Sequence, residues 1–322
     1  MSIIFVTQKN PKIGIGHFVR TNLVKSKIKI KSYLLINKNI IFKKKNLTLN
    51  KISDIQLKKF FKEIKLKIIY FDIHILDNFH KKLIKLAKSE NIKIIFYDYY
   101  DPIVKKANVA FFTPSFYVIK KKYYPKKFFT GWKYLILNIN KKKFNKKKNY
   151  DILLSFGGSD PNKITEFVLK FFLKYKSNFK ICCLIGYLNK RKKTIIKNYK
   201  NLNRNIKFFR PKSNINKYIN KSNFAIISIG LTSYETIFFN TPSLFIPIKK
   251  IDIKLAKYFE NQKLGVSSPF FKDLNYSILK KKINDLINKK KPISNRKNII
   301  DGKGLNRVTN ILLKEHKSIY KN

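Results

Sequence analysis

The 322-residue chain is poor in cysteine, in acidic residues and in arginine. Its two cysteines, Cys182 and Cys183, are adjacent within FKICCLIGY. Neighbours on a strand point to opposite faces, which excludes an ordinary disulfide or a paired metal site. Two small buried side chains in a reducing compartment are the expectation. No stretch approaches the roughly 18 apolar residues that span a bilayer. The opening MSIIFVTQKNPK lacks the basic start and the apolar length of a signal peptide. The expected location is the cytoplasm. No Cys/His cluster has zinc spacing, no acidic pair is placed for a divalent metal, and there is no Walker A lysine motif or GxSxG. No cofactor and no metal are expected.

Against 17 acidic residues stand 72 lysines and arginines, a formal net charge of +55, yet only six are arginine, at 20, 191, 204, 210, 296 and 307. Such charge raises the reading of a non-enzymatic, basic nucleic-acid-binding protein. That reading predicts arginines for bidentate contacts and basic clusters interleaved with exposed aromatics. Here the aromatics lie in apolar runs, and lysine is spread along the chain beside Ile, Asn, Phe and Tyr, all encoded by AT-rich codons. Biased composition accounts for the mixture, so nucleic acid is not an expected partner. Weak attraction to an anionic membrane surface is compatible with the charge. The oligomeric state is left open.

Hydrophobic residues make up 44% and aromatics 15%, enough for two packed cores, and the length favours two domains. Short apolar runs alternate with amphipathic segments. Strands are expected at SIIFVT, SYLLIN (32–37), KIIYFDI (67–73), KIIFYDY (93–99) and VAFFT (109–113), with a helix in FHKKLIKLAKSEN. The lysine-rich stretch 138–150 reads as a linker. The alternation then restarts with strands at YDILLSF, FKICCLIGY, IKFF (206–209), NFAIISI (223–229) and PSLFIPI (242–248). Helices are expected at PNKITEFVLKFFLKYK, RKKTIIKNYKNL, LTSYETIFFN and DIKLAKYFENQKLG, the last ending at Gly265 as its C′ residue, and near 276–289 and 304–320. The expected architecture is α/β. It has two Rossmann-like domains with parallel sheets facing across a cleft: 1–140, a basic linker at 141–150, and 151–322, whose last helix is free to pack back on the first domain.

Three segments could carry chemistry. In IGIGHFVR (13–20), Gly14 and Gly16 permit a tight turn and close approach of a ligand, and a helix starting near His17 suits an anion. The third glycine of a dinucleotide fingerprint is replaced by Val19 and no ribose-binding acid follows, so NAD or FAD is not expected. His17 is either a general base or a polar residue at a helix start. In SFGGSDPN (155–162), Gly157, Gly158 and Ser159 let a substrate approach the strand end. Asp160, which would repel a phosphate, reads as an N-cap with Pro161 at the first helical position. In SIGLTSYETIFFNTP, Thr232 and Glu235 have the spacing of a capping box. The alternative is a diphosphate held at Gly230, Leu231 and Thr232, with Glu235 accepting from ribose hydroxyls. Asp72 and His74 end the third strand, a good position for site residues. His80 and His316 sit in lysine-rich helices and are expected to be solvated.

Taken in order, IGIGHFVR, FGGSDPN, ISIGLTSYE…TP and IDGKGLNRV (300–308) resemble the UDP-sugar hydrolase of pseudaminic acid biosynthesis, PseG, and the SpsG-type spore-coat polysaccharide biosynthesis proteins. They are more distantly similar to the MurG branch of GT-B glycosyltransferases. The resemblance covers about residues 3–310. It implies a GT-B fold with a nucleotide sugar in the cleft. His17 would be the base that activates water against the anomeric carbon. Gly14, Gly16, Arg20, Asp72, His74, Gly157, Gly158 and Ser159 would lie about the substrate. Gly230, Leu231, Thr232 and Glu235 would hold the nucleotide, with Phe209 to Lys212 near its base. The implied activity is that of a UDP-2,4-diacetamido-2,4,6-trideoxy-beta-L-altropyranose hydrolase, in surface-glycan (nonulosonic acid) biosynthesis. The alternative is a metal-independent inverting GT-B glycosyltransferase with a surface-polysaccharide acceptor. The chain departs from the hydrolase pattern in the sugar half. Asp72-Ile73-His74 stands for Asp-His-Tyr, Ile251-Asp252 for an Asn-Gln pair, and Asn138 for an arginine.

Overall fold

The computed structural model describes residues 1–9, 14–42, 45–114, 119–139, 147–176, 178–202, 204–211, 214–288 and 299–318. The described chain forms two compact units. One takes 1–9, 15–136 and the segment after Gly302; the other takes Gly14 and 137–301. Most of the expected linker, 140–146, lies outside the described residues, as do Ile13 and Lys212.

The first unit begins with β1 (Ser2–Thr7), buried along its whole length, then α1 (Gly16–Lys27), β2 (Ser32–Ile36), β3 (Asn39–Phe42) and β4 (Lys45–Thr48). There follow α2 (Asp54–Glu63), β5 (Leu66–Asp72), α3 (Asn78–Ser89), β6 (Lys93–Tyr97), β7 (Val109–Phe112) and β8 (Lys127–Thr130). The strands lie in the order β4-β3-β2-β1-β5-β6-β7-β8. Alternation along β1 divides the core, because successive side chains face opposite ways. Ile4 and Val6 pack with Leu57, Phe60 and Phe61 of α2 and with Leu83 and Ile84 of α3. Ile3 and Phe5 pack on the other face with Val24 of α1. Every pairing from β2 through β8 is parallel, whereas β2–β3 and β3–β4 are antiparallel. This hairpin pair, α2 and β8 are additions to the expected pattern. The turn between β2 and β3 places both Asn37 (φ 47°) and Lys38 (φ 76°) in the left-handed region, as a two-residue hairpin turn requires. The dipeptide Asn-Lys gives none of the usual glycine signal for it. A capping box between Ser53 and Gln56 starts α2.

In the second unit run β9 (Tyr150–Ser155), α4 (Ile164–Lys174), β10 (Ile181–Leu184), α5 (Lys192–Lys200), β11 (Ile206–Phe209) and α6 (Asn216–Asn220). Then come β12 (Ser222–Ser228), α7 (Leu231–Phe238), β13 (Ser243–Ile246), α8 (Lys250–Asn261), β14 (Val266–Ser267) and α9 (Tyr276–Asn288). All six strands are parallel, in the order β11-β10-β9-β12-β13-β14. Cys182 and Cys183 are buried in β10 and unbonded to each other, and burial pushes the Cys182 thiol up to about 12. Helix α8 ends at Asn261, four residues short of the expected Gly265. Gly265 instead passes against β13, where a Cβ would sit 2.4 Å from the Ser243 carbonyl oxygen. Its glycine therefore reflects close packing and not a helix cap.

The last helix, α10 (Gly304–Lys317), belongs to the first unit. Val308 and Leu312 join the α1 face of the sheet. Glu315 accepts from Lys93 Nζ (2.9 Å) and from Lys127 Nζ. His316 is buried here and His80 is buried at the start of α3, contrary to the expected solvation; their helices turn those positions towards the sheet. His80 closes a capping box with Asp77. At the start of α10 a Cβ on Gly304 would lie 2.0 Å from the Leu135 carbonyl oxygen. Gly304→Ala is therefore expected to destabilise the chain by about 3 kcal/mol, at the upper end of overpacking costs. Urea unfolding followed by circular dichroism checks this.

Candidate active site

In each sheet the first strand lies between its successor and a later strand, so the loops at its carboxyl end part and leave a crevice. In the first unit β1 lies between β2 and β5, and in the second β9 lies between β10 and β12. Sequence motifs occupy both places.

In the first unit, the segment after β1 carries Gly16, the first residue of α1, and His17. Gly14, at φ 85°, needs the freedom of glycine. Asp72 ends β5, in register with Thr7 of β1. His17 Nδ1 lies 2.6 Å from Asp72 Oδ1. Arg20, one turn along α1, gives Nη2 to Asp72 Oδ1 (2.6 Å) and Nε to Asp72 Oδ2 (3.0 Å). Both carboxylate oxygens thus already accept from the guanidinium, whose Nη2 also stands 3.2 Å from His17 Nδ1, and the Nδ1–H tautomer of His17 is the one that gives Asp72 Oδ1 a further donor. That leaves Nε2 with its lone pair on a side chain 19% exposed. Arg20 and Asp72 are themselves 5% and 0% exposed, so their polar atoms are spent on each other and on His17.

Arg20 also reaches Asp98, Nη1 to Oδ2 at 2.8 Å. Burial alone would raise Asp98, but the Arg20 guanidinium and the Thr113 hydroxyl outweigh it and hold the carboxyl below its ordinary range. Burial would likewise lower Arg20, and Asp72 with Asp98 reverse that and raise it well above its ordinary value. The guanidinium carbon stands 4.7 Å from the Tyr97 ring centroid. His74, exposed on the loop after β5, has its ring centroid 5.9 Å from that of His17. The loop is laced by Gln8. Its Oε1 accepts from the N–H of His74 and of Ile75 (3.0 Å each), and its Nε2 donates to the Ile75 carbonyl (2.6 Å).

Gln8, Asp98 and Thr113 were absent from the sequence expectations. Asp98 follows a parallel strand at its carboxyl end, and in so basic a chain an acid there is the signal that could have found it.

In the second unit, Gly157 (φ 79°), Gly158 and Ser159 form the turn after β9. Gly186, after β10, supports it from behind: a Cβ there would meet the Gly157 and Gly158 carbonyl oxygens at 2.3 Å. Helix α4 begins at Ile164, so Pro161 is not its first residue. Asp160 caps it all the same, because a tight loop swings the carboxylate under the helix. Its Oδ1 accepts from Ile164 N (2.9 Å) and its Oδ2 from Thr165 N (3.0 Å). Beside this turn, after β12, Gly230 precedes α7, and Leu231 and Thr232 are its first two residues.

The expected Thr232–Glu235 capping box is not formed. The helix starts at Leu231, which puts Ser233 at the third position, where its Oγ accepts from Gly230 N (3.2 Å). Glu235 lies further along, 7% exposed, with no hydrogen bond or ion pair among the described residues, and burial pushes its carboxyl up to about 8. Phe209 ends β11, half-buried against Tyr218 at 4.9 Å. Asp252 accepts from Lys249 N (2.9 Å) at the start of α8 and is committed to that helix. Among the described residues no group of three or more His, Cys, Asp or Glu could hold a metal ion, and no helix is long and apolar enough to cross a membrane.

No family model matches the chain. It is 26% identical over 272 residues to the uncharacterised protein MJ1062 of Methanocaldococcus jannaschii, a match covering 75% of this chain and 54% of that protein. The chain thus spans about half the length of the curated relative it matches. MurG of Acinetobacter baumannii superposes with a TM-score of 0.65 at 10% identity, over 97% of this chain and 99% of that one. The UDP-GlcNAc 2-epimerase of M. jannaschii, solved with UDP-GlcNAc and UDP, superposes with a TM-score of 0.57 at 15% identity, over 98% and 100%. The chain has the GT-B fold.

Burial of Glu235 has a measurable consequence. Its raised value means that the folded chain keeps a proton that the unfolded chain releases above about pH 4.5. Its stability contribution is therefore full below that pH and is lost as pH rises towards about 8, at about 1.4 kcal/mol per pH unit. Glu235→Gln removes that slope. The Tm of the variant should gain on the wild type steadily from pH 5 to pH 8 in thermal melts; a constant offset contradicts the assignment.

Proposed function

We propose that the chain is a nucleotide-sugar hydrolase, similar to the UDP-sugar hydrolase of pseudaminic acid biosynthesis, that releases UDP by attack of water at the anomeric carbon. The observation that carries this reading is the His17–Asp72–Arg20 array, which leaves His17 Nε2 as a proton acceptor at the switch point of the first sheet.

His17 Nε2 takes a proton from water as the water oxygen bonds to the anomeric carbon. The bond from that carbon to the diphosphate oxygen breaks, and its electron pair leaves with UDP. The His17 proton passes afterwards to solvent. The imidazolium formed in the step faces Asp72, a general arrangement for base catalysis. The leaving diphosphate needs stabilisation as charge builds on it. The glycine turn at 157–158 and the amino end of α7, at Leu231 and Thr232 after Gly230, supply backbone N–H groups suited to that charge. Glu235, a buried carboxyl without a side-chain partner among the described residues, is suited to accept from ribose hydroxyls, and Phe209 to lie by the base. The UDP-GlcNAc 2-epimerase, solved with UDP-GlcNAc and UDP, shares the fold, which supports a UDP-sugar as the substrate class.

Transfer to a glycan hydroxyl is the second reading. The same base could take a proton from an acceptor hydroxyl, and His74 in place of an expected tyrosine alters the sugar half of the site. A weak association with anionic membrane surfaces and a cytoplasmic location accompany either reading.

Incubating the chain with a panel of UDP-sugars and following UDP release separates the two. Hydrolysis gives UDP without acceptor, and His17→Ala should lower that rate by about 100-fold or more while the melting temperature stays near that of the wild type. Release at the full rate in His17→Ala rules out His17 as the base; release only with an acceptor favours transfer.

A further inference from the structure

We propose that Arg20 and Asp98 are positioning residues for His17: the guanidinium, bonded to Asp98 at one end and to Asp72 at the other, sets the Asp72 carboxylate so that His17 is held as the Nδ1–H tautomer. The inference rests on the reading of His17 as the base and extends it to the side chains packed behind it.

The geometry forms a chain of support. His17 meets only one Asp72 oxygen, Oδ1, at 2.6 Å, and Arg20 Nη2 meets the same oxygen at 2.6 Å. Arg20 Nε holds the other oxygen at 3.0 Å, so the carboxylate cannot turn. A guanidinium bound at one end could still pivot, and Asp98 Oδ2 on Nη1 at 2.8 Å removes that freedom. Asp98 is fixed in turn by the Thr113 hydroxyl, 2.5 Å from its Oδ1, and by Tyr100, whose hydroxyl lies 3.0 Å from the same oxygen and 2.7 Å from the Thr113 carbonyl. The plane of the guanidinium rests on Tyr97, and the Tyr97 hydroxyl is tied to the Tyr134 carbonyl (2.9 Å) and to Ile136 N (3.1 Å).

Charge points the same way. Two carboxylates about one guanidinium leave one negative charge over, which an imidazolium at His17 balances. Without Asp98 the Arg20–Asp72 pair would be neutral. Lysine cannot take the place of Arg20, because an ammonium is a point charge without the planar fork that bridges two carboxylates. The titratable groups about His17 in the first unit are Asp72 from β5, Arg20 from α1, Asp98 after β6 and His74 after β5; Tyr70 and Tyr97 lie behind Arg20.

The test uses the full chain with 15N-labelled histidine, at a pH where imidazole is neutral, with the four histidines assigned by single substitutions. Free histidine side chains favour the Nε2–H form in water, so an Nδ1–H signal at His17 is diagnostic. The wild type should show it. Asp98→Asn and Arg20→Lys, each confirmed as folded by thermal melting, should move His17 towards the Nε2–H form. They should also lower kcat for UDP release about tenfold with KM nearly unchanged, a fraction of what a general base contributes. Should either variant fail to fold, Thr113→Val, which removes only the hydroxyl on Asp98, should show the same shift in smaller measure. Retention of the Nδ1–H form and of full kcat in these variants overturns the proposal, as does an Nε2–H wild type. A wild type that releases no UDP, yet loses its Nδ1–H form in the variants, overturns the hydrolase reading alone.

Discussion

A guanidinium buried between two carboxylates is the constraint on which the first unit's site depends. Arg20 is almost fully enclosed, and a buried charge is tolerated only when it is paired and hydrogen-bonded. Its partners come from the ends of two adjacent parallel strands, β5 and β6, while Arg20 itself comes from the first helix. One side chain therefore ties three elements together at the carboxyl edge of the sheet. Removing either carboxylate would leave guanidinium N–H groups without their acceptor inside the unit, so the same contacts that orient His17 also fix the edge on which it stands.

The second unit repeats the topology with different means. Among the described residues no buried arginine lies in it. Its turn after β9 is shaped by glycines that meet back to back, Gly157 and Gly158 against Gly186, and by Asp160 folded under α4. The result is a turn of backbone beside the buried carboxyl of Glu235, with the Asp160 carboxylate spent on the start of α4. The first unit thus presents a proton acceptor and the second presents backbone and one acid.

Much of this was legible in the sequence. Most of the parallel strands of both sheets stood out because buried parallel strands read as near-continuous apolar runs, and the glycine-bearing turns fell where those runs ended; the short strands β8 and β14 did not. The antiparallel strands β3 and β4 did not stand out, since each is four residues long and the turn from β2 into β3 uses Asn37 and Lys38 where glycine usually gives the signal. The capping box read at Thr232 and Glu235 failed because the helix frame begins two residues earlier than that motif needs, so Ser233 takes the capping place. His17, Arg20 and Asp72 were singled out separately, but their union was invisible, because 52 residues part Arg20 from Asp72 and 78 part it from Asp98. The scarcity of acid was the unused clue. Among 17 acidic residues in the chain, an aspartate directly after a core strand is not a product of composition.

The most direct measurement of the central claim is hydrolysis of a UDP-sugar in 18O-labelled water, with mass spectrometry of both products. Attack of a His17-activated water at the anomeric carbon predicts the label in the released sugar and unlabelled UDP. Label in the phosphate of UDP would place the attack at phosphorus and contradict the account, as would the absence of any UDP unless an acceptor is supplied.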